Sequence, residues 1–252
     1  MSILANAAHD SFRLLGLLRW PLLSFLLSVP AREVQSSHPP EGFRASPIIE
    51  PESLVKRLDL EKLFGRNAPL HVDLGCGEGS FLCVQAQRMP EKNFLGIERL
   101  LGRVRAAAQK AATIGNVHLL RMEISYAVGY LLPPASVETF YLLFPDPWPK
   151  RRHLQRRIAN ESFLRAISQA LVQGGILLIA TDHLSYFEKI KEVVRANLDF
   201  AIVDPASVDL PPSRFARVFE QRGAAIHWLE LRKISDSEAH TDVAKFFEKL
   251  RE

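Results

Sequence analysis

The stretch from Phe140 to Arg157, FYLLFPDPWPKRRHLQRR, holds the densest set of side chains able to do chemistry. Its apolar run, Phe140 to Phe144, predicts a buried strand, and Pro145-Asp146-Pro147-Trp148-Pro149 stops that strand with three prolines in five residues. Proline fixes its own φ and drives the preceding residue toward extended geometry, so Asp146 and Trp148 are presented from a stiff loop at a strand's carboxyl end. From Lys150 to Arg165, six cations (Lys150, Arg151, Arg152, Arg156, Arg157 and Arg165) stand against one acid, Glu161. A charge run alone is usually a solvated face. Directly behind an acid and an exposed aromatic, it suits a nucleobase held together with its phosphates.

A second constellation lies upstream. Leu70-His71-Val72-Asp73-Leu74 predicts a short buried strand running into Gly75-Cys76-Gly77-Glu78-Gly79, followed by a helix from Ser80 to Arg88. Glycines let such a turn close tightly against a ligand, while the new helix offers free N–H groups. Dinucleotide enzymes use a similar turn, so the neighbours decide. Asp73, two residues before the first glycine, suits the ammonium of a methionine moiety and faces the wrong way for a pyrophosphate. Position 80 is Ser80, where GxGxxG has its third glycine. These features favour S-adenosylmethionine over NAD. The next predicted strand, Asn93 to Glu98, ends in a carboxylate able to accept both hydroxyls of a ribose. Asp182 closes a later apolar run, Ile176 to Ala180, so Asp73, Glu98, Asp146 and Asp182 mark one ligand crevice along the edge of an open α/β sheet.

The loop FPDPWPKRRHLQRR closely resembles the signature of the bacterial tRNA (guanine-N7)-methyltransferase family, FPDPWPKxRHxKRR, and the resemblance extends from about Leu70 to Lys233. It implies an α/β class I methyltransferase fold: a Rossmann-like three-layer sandwich around a mostly parallel seven-stranded sheet. It also implies transfer of a methyl group from S-adenosyl-L-methionine to N7 of a guanine in the variable loop of tRNA. By resemblance Asp146 is the catalytic position and also touches the cofactor, together with Asp73, Gly75, Gly77 and Glu98. The family's adenine-pocket acid falls on Glu123, in place of the more usual Asp. Lys150 and Asp182 match substrate positions, and Arg151, Arg152, Arg156 and Arg157 would grip the RNA backbone.

One departure stands out. The family's Thr-x-[Phe/Tyr]-Glu substrate motif falls on Ser213-Arg214-Phe215-Ala216, with alanine where the acid belongs; Glu220, one helical turn on, is either its replacement or a surface acid paired with Arg217. A small-molecule methyltransferase, an NAD-dependent dehydrogenase and a non-catalytic RNA-binding partner remain as alternatives.

The elements that must position these residues follow from periodicity. Leu54, Leu58, Leu60 and Leu63 predict a helix; Arg103 to Ala112 another; Val117 to Leu120 a strand; and a further helix runs through Leu132 to the turn Pro133-Pro134. Asn160 to Val172 predicts a helix ended by Gly174-Gly175, and Leu184 to Leu198 an amphipathic helix. Phe200 to Val203 and Ile226 to Leu231 predict a closing pair of strands. In the tail from Asp242 to Glu252, Val243, Phe246, Phe247 and Leu250 share one helical face.

The chain of 252 residues is long enough for one domain with small appendages: an N-terminal extension over 1–45, a catalytic domain over 46–234 and a helical tail over 235–252. Lys and Arg exceed Asp and Glu by 32 to 28, and because the excess is clustered it favours a polyanion partner. Two cysteines, Cys76 and Cys83, make no disulfide framework and no metal site, and they point to a reducing cytoplasm. The apolar run Leu14 to Val29 is broken by Arg19 and Pro21 and falls short of the roughly 20 residues that span a bilayer. A signal peptide centred on Pro21 to Leu27 is the other reading of this run, against which Asp10 counts. A monomer or a homodimer is expected.

Overall fold

The computed structural model describes residues 46–147, 158–196, 199–203, 210, 223 and 225–234. The chain divides into two compact units, Met1–Phe43 and Arg44–Glu252, and every described residue lies in the second. The N-terminal extension and the C-terminal tail fall outside the described residues.

Elements alternate along the chain as β1 (Ile48–Ile49), α1 (Leu60–Phe64), β2 (Leu70–Leu74), α2 (Ser80–Arg88), β3 (Asn93–Glu98), α3 (Leu101–Ala111), β4 (Val117–Arg121) and α4 (Ile124–Tyr126). A π-helical turn, Ala127–Leu131, leads to β5 (Val137–Leu143), α5 (Glu161–Ala170), β6 (Leu171–Thr181), α6 (Leu184–Arg195), β7 (Phe200–Val203) and β8 (His227–Lys233). They build one sheet in the order β1-β4-β3-β2-β5-β6-β8-β7. All pairings are parallel except those of β8, which lies antiparallel between β6 and β7.

The central strands are buried on both faces, which is why their sequences read as apolar runs and do not alternate. On one face Val72, Leu74, Ile97, Phe140, Leu142 and Ile179 join the cores of α5, α6 and the π-helical turn. On the other, Phe94, Val117 and Leu119 meet Leu82, Cys83, Ala86, Val104 and Ala107 of α2 and α3. Complete burial of a side chain such as Phe94 contributes roughly 1.5–3 kcal/mol, so both helix layers are held by the same strands. Local signals set several helix ends: the Asp59 side chain accepts from Lys62 N at 3.0 Å to start α1, and that of Asn160 accepts from Phe163 N at 3.0 Å to start α5.

The fold class is as expected, with corrections. The sheet has eight strands, not seven, because the two-residue β1 adds an edge beside β4. The helix expected across Leu54 to Leu63 is confined to Leu60–Phe64, and the one expected through Leu132 is the short α4 with its π-helical turn. The helix expected to run from Asn160 to Val172 ends at Ala170, and Gly174-Gly175 lie inside β6. The pairing of β6 with β5 jumps there from Val137↔Leu171 to Thr139↔Ile176, so these glycines serve an irregularity in the strand and do not cap a helix.

Candidate cofactor and guanine site

The carboxyl ends of the parallel strands lie side by side, and the acids at β2, β3, β5 and β6 follow the sheet order. Asp73, in the central β2, is 3 % exposed. Among the described residues no hydrogen-bond donor or cation meets its carboxylate, and burial, reinforced by Glu98, pushes its pKa up to about 7.

The glycine turn after β2 crosses the end of β3: the N–H groups of Gly75 and Cys76 both donate to Ile97 O, at 2.8 and 3.0 Å. Gly75, Gly77 and Gly79 all have positive φ, at 86°, 56° and 71°, a region that L side chains rarely adopt. A Cβ on Gly79 would lie 2.8 Å from Ala107 Cβ, so α3 packs directly on the turn. At Gly77 a Cβ would meet nothing within 4 Å, so the turn has open space beside it. Lys110 of α3 straps its outer side, donating to Glu78 O at 2.9 Å and Ser80 Oγ at 2.8 Å. No side chain caps the start of α2, which leaves N–H groups of its first turn for a ligand.

Glu98 is also buried; its Oε1 accepts from Leu100 N at 2.8 Å, and Arg103 stands 3.8 Å from Oε2. A carboxylate has lone pairs beyond these, so contact with a diol stays open. Two buried acids that, among the described residues, pair with one cation, Arg103 at Glu98, suit a positively charged ligand and would repel the pyrophosphate of a dinucleotide. An ammonium at Asp73 and a ribose at Glu98 fit the arrangement. Cys76 and Cys83 are free and buried, and burial pushes the Cys83 thiol up to about 11, which leaves both unreactive.

Glu123 sits where the sequence puts it, after β4, yet its carboxylate caps α4: Oε1 accepts from Ser125 N at 3.0 Å and Oε2 from Tyr126 N at 2.8 Å. This capping duty is local, and the sequence signal for it is an acid immediately before a helical turn.

At the end of β5, Phe144 has φ 55° and donates its N–H to Ala180 O at 2.7 Å. A non-glycine residue in this region costs on the order of 1–2 kcal/mol and is worth a functional explanation. Here it turns the chain out of the sheet, and Asp146, two residues on, stands exposed past the carboxyl end of β5. Asp182 follows β6, partly exposed, and the next residues make contacts that the sequence reading missed. His183 Nδ1 lies 3.1 Å from Ser185 Oγ, and Phe187 stacks on His227 at 5.2 Å. His227 is the register partner of Thr181 across the antiparallel pair, a proximity with no local sequence signal. Lys150, Arg151, Arg152, Arg156, Arg157, Ser213, Arg214, Phe215, Ala216 and Glu220 lie outside the described residues.

Residues 67–233 match the family described as "Putative methyltransferase". The tRNA (guanine-N(7)-)-methyltransferase of Halorhodospira halophila is 37 % identical over 171 residues, covering 66 % of this chain and 74 % of that protein. The protein of the same name from Aliivibrio fischeri is 38 % identical over 170 residues, covering 66 % and 71 %. The crystal structure of the antibiotic-resistance methyltransferase Kmr superposes with a TM-score of 0.51 at 18 % identity, covering 70 % of this chain and 92 % of that one, which shows a shared fold.

Proposed function

The chain belongs to the tRNA (guanine-N7)-methyltransferase family, and on that footing we propose that it transfers the methyl group of S-adenosyl-L-methionine to N7 of a guanine in the variable loop of tRNA, as a cytoplasmic enzyme. The observation that carries the reading is the pair of buried acids, Asp73 and Glu98, beside the open glycine turn. Asp73 receives the donor's ammonium, Glu98 its ribose hydroxyls, Gly75 and Gly77 allow backbone approach, and Glu123 borders the adenine while it caps α4. When bound, the donor supplies an electrophilic methyl group on a sulfonium.

Guanine N7 has a free lone pair and no proton to lose, so the acceptor needs orientation more than a strong base. Alignment and electrostatics therefore carry most of the acceleration. Asp146, exposed on its turned loop, orients the guanine and favours the positive charge that arrives on the ring. Asp182 accepts from base or ribose. Lys150 and Arg151, Arg152, Arg156 and Arg157 grip phosphates, which gives affinity without sequence information. Ser213 to Ala216 stay assigned to the substrate by resemblance. Among the described residues no helix is long and apolar enough to cross a membrane.

Incubation of bulk tRNA with methyl-labelled donor, followed by digestion to nucleosides, tests the proposal. Label in 7-methylguanosine is expected. Label in another nucleoside, or none, refutes it.

A further inference from the structure

A chain of hydrogen-bonded polar side chains, buried at His71 and Tyr141 and half-buried at Glu138 and Lys92, links β2 to β5 beside Asp73. His71 and Asp73 alternate along β2 and so share a face, and Tyr141 of β5 is the register partner of Asp73. His71 Nδ1 lies 2.9 Å from the Tyr141 hydroxyl, and Nε2 lies 2.7 Å from Glu138 Oε2. Lys92 donates to both oxygens of Glu138, at 3.0 and 2.7 Å. His71 and Tyr141 are only 6 % and 4 % exposed.

The direction of each bond is fixed by chemistry. Burial pushes Glu138 up, but the hydrogen bonds from Lys92 and His71 outweigh it and hold its carboxyl below the usual range, so it only accepts. His71 Nε2–H therefore donates to Glu138. Burial also pushes His71 below its ordinary pKa, against the opposing pull of Glu138 and Glu91 and with a small contribution from Lys92. The ring is thus neutral at pH 7, its Nδ1 carries a lone pair, and the Tyr141 hydroxyl donates to it.

Backbone geometry explains how Glu138 reaches the histidine. The register runs Leu70↔Val137, then His71↔Thr139, so Glu138 is the extra residue of a bulge in β5. A bulge re-aims a side chain and pins register. A slip of one residue would move the end of β5 by about 3.3 Å along β2. That would carry Asp146, three residues beyond Leu143, away from its place relative to Asp73.

We propose that Tyr141, His71 and Glu138 form a register lock: positioning residues that fix β5 against β2 and thereby hold the guanine-orienting loop in line with the bound methyl donor. The lock rests on the methyl-transfer reading given above. Tyr141→Phe removes one of the two side-chain bonds that His71 makes from β2 to β5 and should lower kcat for tRNA more than tenfold, while donor Kd stays within about threefold at one-to-one stoichiometry. The variant leaves His71 Nδ1 without a partner, so it also loses stability. A second variant separates the two effects. Tyr141→Phe combined with His71→Leu removes the unpaired ring nitrogen along with its partner, and should recover thermal stability without recovering kcat. If kcat returns together with stability, or never fell in Tyr141→Phe, the lock is overturned. Wild-type protein that methylates no tRNA in the same assay overturns the methyl-transfer reading itself, and the lock with it.

Discussion

Binding of the methyl donor should be linked to a proton through Asp73. In the donor-free protein this carboxyl titrates at about 7, raised from 3.8 by burial and by Glu98. A cationic donor needs it ionised, so protonation competes with binding. If the bound complex titrates well below pH 5, one site with this pKa makes affinity fall roughly 25-fold between pH 7.5 and 5.5, approaching tenfold per unit at the acid end. Titration calorimetry in two buffers of different ionisation enthalpy measures both affinity and protons. Close to one proton should be released per donor bound at pH 5.5, and only a small fraction at pH 7.5. Stability changes in the opposite sense. Between pH 3.8 and about 7 the folded state binds the proton more tightly than the unfolded one, so donor-free stability declines as pH rises through that window, by at most about 4 kcal/mol. Asp73→Asn should abolish that decline and flatten the pH dependence of binding. A donor Kd that changes less than threefold between pH 7.5 and 5.5, with no proton released, would refute the reasoning.

Asp146→Asn should abolish tRNA methylation while calorimetry shows donor affinity within a few-fold of wild type, because Asp73 and Glu98 hold most of the donor; full turnover in this variant would remove Asp146 from the mechanism. Removing Arg151, Arg152 and Arg156 together should weaken tRNA binding and flatten its salt dependence by up to about one unit per residue, with donor affinity unchanged. An unaltered slope would return the run to an ordinary solvated face. Gly79→Ala places a Cβ against Ala107 at a φ of 71°, and should lower stability by roughly 2–4 kcal/mol in urea unfolding.

Much of the donor site is legible in the chain because its determinants are local. Asp73, the glycines and the start of α2 form one continuous strand, turn and helix, and Glu98 ends the next apolar run. Each piece carries its own signal in residue type and spacing. Partners distant in sequence were not legible. Gly174-Gly175 reads as a helix terminator, and that these glycines serve a strand irregularity instead was decided by the pairing of Leu171 with Val137. Likewise, no periodicity reveals that Glu138 is an extra residue opposite β2, or that β8 inserts between β6 and β7 and brings His227 beside Thr181. Glu123 showed its family position in the sequence, while its capping of α4 depended on where that helix begins. The sequence by itself determined which chemical groups stand at the strand ends. Only the tertiary structure decided their relative register, because register is a sum over non-local strand pairings that no single segment encodes.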